Sequence, residues 1–350
     1  PPLTFRQLLF ILKPYFWPSR LMPSWCLNRI RCVSTWVFII GSKVSSVYSP
    51  LFLSLATSAL SSSPGPDYSR ASLYAGVYCL LSFGSRFLKE CQNLVYLDVK
   101  KVAYAEICSS TFSHLLNLSL HWHLKKKIGV VIRAMDRGTD AADTVVTYLF
   151  LYLLPALGEC LAVCIIFLVH FQQWELSLLL FSSLLLYGFV TIRITLWRKK
   201  FREATNQKDN EIHERATDTL VCFEMVKAFT NEEFERGRFT EAVRAYQKYS
   251  VTTSASLSLL NIIQQGIVQG CCVGTLILTA HRVYLGEMDV GDFVAVNVYT
   301  TNAFQPLNFL GSVYTAVIKA LVDMQNLNQL LLESPDIVDA PTARALPPPP

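Results

Sequence analysis

His121 and His123 stand one residue apart and would make half of a tetrahedral metal site, since zinc takes four nitrogen or sulfur ligands. No cysteine or carboxylate pattern nearby completes the set, so the pair reads as the tip of an amphipathic helix. Ten cysteines (Cys26, Cys32, Cys79, Cys91, Cys108, Cys160, Cys164, Cys222, Cys271 and Cys272) fall mostly inside apolar runs, with no CxxC pair and no repeated spacing. That excludes a zinc framework or a disulfide scaffold and leaves buried thiols. The stretch GxxxxGK(S/T), whose amides and lysine cradle phosphates, is absent. No catalytic or metal-ligating residue is therefore expected in this chain. Glu159, four residues after Pro155 in an apolar run, is costly in lipid and must face protein or water.

The elements that would position these residues are set by composition. Of 350 residues, 52% are hydrophobic and 16% charged, with a mean hydropathy of +0.34; a soluble domain carries about 25% charged residues. Lipid explains the deficit. A spanning helix needs about 20 apolar residues, and six stretches qualify, at 32–60, 71–97, 142–170, 174–197, 252–282 and 292–318. The expected fold is an all-α membrane protein with six transmembrane helices. Lys43 in the first span, and Arg86, Lys89 and Glu90 in the second, require polar edges turned to protein or water. Before the spans, residues 4–18 place Phe5, Leu8, Leu9 and Leu12 at helical spacing and end in aromatic residues and prolines, which predicts a helix lying at the membrane interface.

The connections are uneven. Spans 1 and 2, 3 and 4, and 5 and 6 are joined by short segments with few basic residues. The 2–3 connection (98–141) and the 4–5 connection (198–251) are long, basic and almost free of Gly and Pro, which predicts helices running roughly 30 Å past the bilayer at about 1.5 Å per residue. Their lysines and arginines put both connections on the cytosolic or matrix side, with the N-terminus and its Arg6, Lys13, Arg20, Arg29 and Arg31. The net charge of +5 reports this topology before any partner. Something must dock on such projecting tips.

Read in order, LKPYFWP, FSHLLNLSLHWHLKKKIGVVIRAMDRGTDA, WRKKFREATN, FEMVKAFTNEEFERGRF, SLSLLNIIQQ, VGDFV, PLNFLGSVY and ESPDIVDAP resemble successive landmarks of ABC exporter half-transporters. The resemblance is to the subfamily B group that holds mitochondrial iron-homeostasis exporters, porphyrin transporters and heavy-metal-tolerance factors, and it covers nearly the whole chain. It implies the ABC exporter type I (type IV transmembrane) fold and a domain-swapped dimer. The implied organisation is an elbow helix at 1–20, a transmembrane domain at 21–332, and a linker at 333–350 toward a nucleotide-binding domain.

The resemblance also implies site residues. Two coupling helices, about 118–127 and 220–229, would seat on nucleotide-binding domains through Leu118, His121, His123, Lys125, Phe223, Glu224, Lys227 and Phe229. Substrate contacts near the inner mouth would come from Arg198 and Arg202, whose i,i+4 spacing lets both take carboxylates, from Asn261 and Gln264, and from Asn308, Gly311 and Ser312. The other reading of the arginines is a snorkelling positive collar, and that of Asn261, Gln264 and Asn308 is hydrogen bonding between helices. Ala316 and Thr315 depart from the family pattern, which puts recognition of a glutathione ammonium group in doubt. The family tolerates an acid at Glu159, which favours helix packing over a proton relay.

The implied function is ATP-driven export of glutathione-linked, heavy-metal or porphyrin-type cargo across a mitochondrial or vacuolar/endolysosomal membrane. ATP and magnesium would sit in a nucleotide-binding domain and not in this chain. Expected partners are lipid, a second half-transporter (identical or not), that domain and small-molecule cargo, with no nucleic acid. The tail LLESPDIVDAPTARALPPPP stops where the domain would start, so the expectation is a fragment, an abnormal product or a separate membrane subunit. The other class is a transport-inactive partner that dimerises with full-length relatives; an unrelated secondary transporter would show inverted repeats, and none is seen. The topology makes one direct prediction. Asn117 of the sequon Asn117-Leu118-Ser119 stays unglycosylated in intact cells, as read by glycosidase-sensitive mobility, and a glycan there inverts the model.

Overall fold

A computed structural model of the chain describes residues 5–19, 25–61 and 67–335, and no strand occurs among them. The helices are α1 Phe5–Phe16, α2 Trp25–Ser61, α3 Tyr68–Leu116, α4 Leu120–Lys125, α5 Ile128–Val145, α6 Leu154–Val169, α7 Trp174–Val221, α8 Phe223–Ala228, α9 Glu232–Tyr284, α10 Val290–Phe304 and α11 Leu310–Leu331. They divide into two compact units, one of residues up to Ala162 together with those from Ser312 on, the other Val163–Gly311. The expected linker at 333–350 lies outside the described residues from 336 on, as does most of the 1–2 connection.

Among the described residues, five helices are long and apolar enough to cross a membrane: α2, the run from α5 to α6, α7, α9 and the run from α10 to α11. The sixth expected span is the body of α3. That helix has 49 residues, but Arg86 and the Ser, Gly and Tyr residues around it dilute its apolar stretch. It nevertheless lies along α2: Ser42 Oγ donates to the Ser85 carbonyl at 2.8 Å, Gly41 lets Leu88 approach, and Arg31 pairs with Asp98 at 2.9 Å.

Two of the expected spans are interrupted, each at a proline. Pro155 has no N–H for the carbonyl four residues back, and the preceding segment Val146–Leu153 is wound as a π-helix. Pro306 likewise divides span 6, where Gln305–Phe309 forms a 3-10 turn between α10 and α11.

In the first unit, α1 turns Ile11, Leu12 and Tyr15 inward, all under 5% exposed, onto Val99, Ala103 and Ile107 of α3 and onto Val145 of α5. The inward face is thus Leu8, Ile11, Leu12 and Tyr15, and Leu9 is exposed. The side chain of Phe5 lies outside the described ones. Arg29 stacks against Trp17 and Trp25, 4.4 and 4.9 Å from the two ring centres, which ties the start of α2 to the end of α1. Further along, α5 meets α11 where Gly138 faces Leu327, both buried.

A methyl group at Gly138 would fall on the Cβ of Leu327, an atom that moves only with its backbone. Gly138→Ala is therefore expected to cost about 1–3 kcal/mol by overpacking. Gly84→Ala, where the added carbon meets nothing within 4 Å, should leave the melting temperature in nanodiscs unchanged or raise it. Equal melting of the two variants would reject the close approach of α5 and α11.

Candidate functional site

In the second unit, one stripe of α7 makes polar contacts with its neighbours. Tyr187, Thr191, Thr195 and Arg198 follow at helical steps of four, four and three, so they project to one side. Tyr187, wholly buried, donates its hydroxyl to Asn308 Oδ1 at 3.1 Å. Thr191, also wholly buried, accepts from Gln264 Nε2 of α9 at 2.9 Å. Thr195 lies against Gly311, where an added Cβ would stand 2.9 Å from its hydroxyl. Arg198 Nε donates to Ser256 Oγ of α9 at 3.0 Å, and Ser256 in turn donates to the Thr253 carbonyl.

The expected contact residues therefore divide. Arg198 is half-buried and pinned by Ser256, while Arg202, one turn on, is exposed. Asn261 and Asn308 are exposed as well, the latter with its carbonyl oxygen engaged by Tyr187. Gln264 is 6% exposed, and its amide nitrogen is spent on Thr191. This residue is placed as a helix-packing group, because a free amide in hydrocarbon would lose its hydrogen bonds. Ser312 is exposed and falls in the first unit. Tyr187, Thr191 and Thr195 were not anticipated from the sequence, although polar residues every fourth position in an apolar run carry the signal.

The two expected coupling stretches each contain a six-residue helix. At the first, Ser119 caps α4 by accepting from the Trp122 amide, and His123 Nε2 donates to the Leu115 carbonyl at 3.0 Å. His123 is thus used to close the tip, and His121 and Lys125 are exposed. Leu118 does not face outward: it is 6% exposed, packed with Leu115, Val131 and Leu330, because an isobutyl group at a three-helix junction gains more by burial than by exposure. At the second tip, α8 presents Phe223, Glu224, Lys227 and Phe229, all exposed. Lys227 donates to Glu232 at 2.7 Å and holds that carboxyl below the usual carboxylate range. Among the described residues, no group of three or more His, Cys, Asp and Glu is placed to hold a metal ion.

Glu159 in the first unit has found protein: Lys43 Nζ donates to it at 2.5 Å and Ser46 Oγ at 2.7 Å, both from α2. Its side chain is 11% exposed and that of Lys43 36%.

Long helices running past the apolar zone, joined at their tips by short helices and linked by polar contacts between them, define a multi-pass α-helical membrane domain. Residues 34–307 match the ABC transporter transmembrane region, and the chain belongs to that family. Heavy metal tolerance factor 1 of Caenorhabditis elegans is 32% identical over 333 residues, 94% of this chain and 41% of that protein. ATP-binding cassette sub-family B member 6 of Xenopus tropicalis is 31% identical over 98% of this chain and 40% of its own length. The mitochondrial iron-sulfur clusters transporter ATM1 of Kluyveromyces lactis is 32% identical over 94% of this chain and 46% of its own. A solved bacterial Atm1-family ABC exporter with ATP bound superposes with a TM-score of 0.66 at 32% identity, over 92% of this chain and 56% of that one. The chain thus spans less than half the length of these three curated relatives.

The Glu159 pair gives the second unit-independent test of packing. Lys43→Met alone strands a carboxylate among helices and is expected to cost about 2–4 kcal/mol, while Lys43→Met with Glu159→Leu costs less, since a buried pair replaced by apolar groups is often neutral. Thermal unfolding in nanodiscs compares them. A double variant weaker than the single one rejects the pairing.

Proposed function

We propose that the chain is the membrane-spanning part of an ATP-driven exporter that moves anionic thiol conjugates of the glutathione type, alone or carrying heavy metal or porphyrin. The observation that carries this reading is the inner end of the α7 stripe. There Ser256 orients the Arg198 guanidinium and Arg202 lies exposed one turn further. Two such groups at i,i+4 suit the two carboxylates of a glutathione moiety, since guanidinium pairs carboxylate bidentately. Asn261 and Asn308, both exposed, supply hydrogen bonds to a peptide-like cargo. The relatives named for heavy metal tolerance and for iron-sulfur clusters support a thiol-bound metal cargo and a mitochondrial or vacuolar membrane.

The motor in this proposal is a separate nucleotide-binding domain. The chain contains no GxxxxGK(S/T), the stretch whose amides and lysine cradle the phosphates of ATP. Exposed Phe223, Glu224, Lys227 and Phe229 on α8, and His121 and Lys125 on α4, form the surfaces on which that domain would pull. Two copies, or this chain with another half-transporter, would then alternate between inner-open and outer-open states.

Binding of glutathione and of its metal or porphyrin conjugates is to be measured by calorimetry on the chain in nanodiscs. The Arg198→Ala/Arg202→Ala variant should bind at least about tenfold more weakly, from the loss of two charge-assisted contacts. Equal affinities would sink the cargo assignment.

A further inference from the structure

The first unit holds a cleft of which the exporter reading uses only Lys125, at its rim. It has a volume of about 630 Å³ and lies between the tip around α4, the first turns of α5, and the end of α11. Lys125, Lys126, Lys127, Arg133 and Arg137 line one wall, and Asp323 and Glu333 the other, so five positive charges face two negative ones. Only Lys126 among the five cations forms an ion pair among the described residues, with Glu333 at 3.4 Å. The other four are exposed. Like charges gathered around one cavity raise its positive potential and concentrate anions there.

Topology accounts for part of this charge but not all of it. Arg137 lies close to the apolar zone that begins near residue 142, where a positive-inside residue belongs. Lys127, fifteen residues before that boundary, lies about 20 Å away along α5 at about 1.5 Å per residue. The headgroup layer is only about 5–7 Å deep on each side, so a lipid phosphate reaches Arg137 and not the three lysines. Arg133 and Arg137 occupy one face of α5 at i,i+4 and hold planar guanidinium groups, which bind phosphate oxygens in pairs. Asn326 and Gln329 on α11 add amide donors on the opposite wall. Against the two carboxylates of the cleft the five cations leave an excess of three positive charges, which suits a multiply charged anion, and the paired guanidinium groups favour phosphate oxygens.

We infer that this cleft binds a small soluble polyphosphate anion, at a place distinct from the α7 stripe. The inference does not rest on the cargo assignment, since no residue of the cleft belongs to the contact set proposed above.

Inorganic tripolyphosphate is the probe, titrated by calorimetry into the purified chain in nanodiscs of zwitterionic lipid, without magnesium and at low salt. One anion should bind per chain, and raising the salt should weaken it severalfold. Arg133→Gln/Arg137→Gln should weaken it about tenfold or more, and Lys126→Gln/Lys127→Gln about as much, while glutathione binding stays unchanged in both. Melting curves report whether each variant is folded, and the two variants alter different segments, so a folding defect in one leaves the other to decide. No binding by the unaltered chain, or full binding by both folded variants, overturns the inference. A second arm uses nanodiscs containing anionic phospholipid. Undiminished tripolyphosphate binding there supports a soluble ligand, and its abolition assigns the cleft to lipid headgroups and overturns the proposal.

Discussion

Every backbone N–H and C=O that enters hydrocarbon must be satisfied within its own segment, and this constraint shapes the whole chain. It makes the spanning segments helical and forbids their ends to fray inside the bilayer, so α3, α7 and α9 continue as single helices of 49, 48 and 53 residues from apolar zone to tip. Where proline breaks the ladder, the chain answers locally. A π-helical stretch precedes Pro155 and a 3-10 turn contains Pro306, and both lie where neighbouring helices supply contacts.

The same scarcity of water decides how polar side chains are spent. Thr191 takes the amide of Gln264, Asn308 takes the hydroxyl of Tyr187, and Glu159 takes Lys43 and Ser46. Each bond holds one helix to another, and in a membrane such bonds substitute for a hydrophobic drive that lipid does not provide. A polar residue in an apolar span is therefore first a packing group. Arg202 and Asn261 of the second unit stay exposed after that pairing.

Much of this was legible in the residues. Apolar runs near 20 residues located the spans, and basic, glycine-poor connections located the helical extensions. Glu159 advertised a partner by its cost in lipid, and Lys43 did the same from another span. Less legible was which face each helix turns. On α1, spacing gave the apolar stripe Phe5, Leu8, Leu9 and Leu12, but it did not show that Ile11 and Tyr15 would be buried against protein while Leu9 stays exposed, because periodicity gives a stripe and not the neighbour that covers it. Leu118 was placed on a docking surface and is instead enclosed by Leu115, Val131 and Leu330, a junction that brings residue 330 beside residue 118.

What the sequence by itself determined is the class of protein: hydropathy, charge asymmetry and a series of ordered motifs are local properties, and a bilayer converts them directly into spans, sides and extensions. What only the tertiary structure decided is which polar groups pair and which remain open. Gln264 and Arg198 each meet a partner on a helix tens of residues away, Thr191 for the first and Ser256 for the second, and the cations from Lys125 to Arg137 become one wall of a cleft only when α11 returns beside them. Those pairings depend on the register between helices, which is set by side-chain contacts such as Gly138 against Leu327 and has no signature along a single strand of sequence.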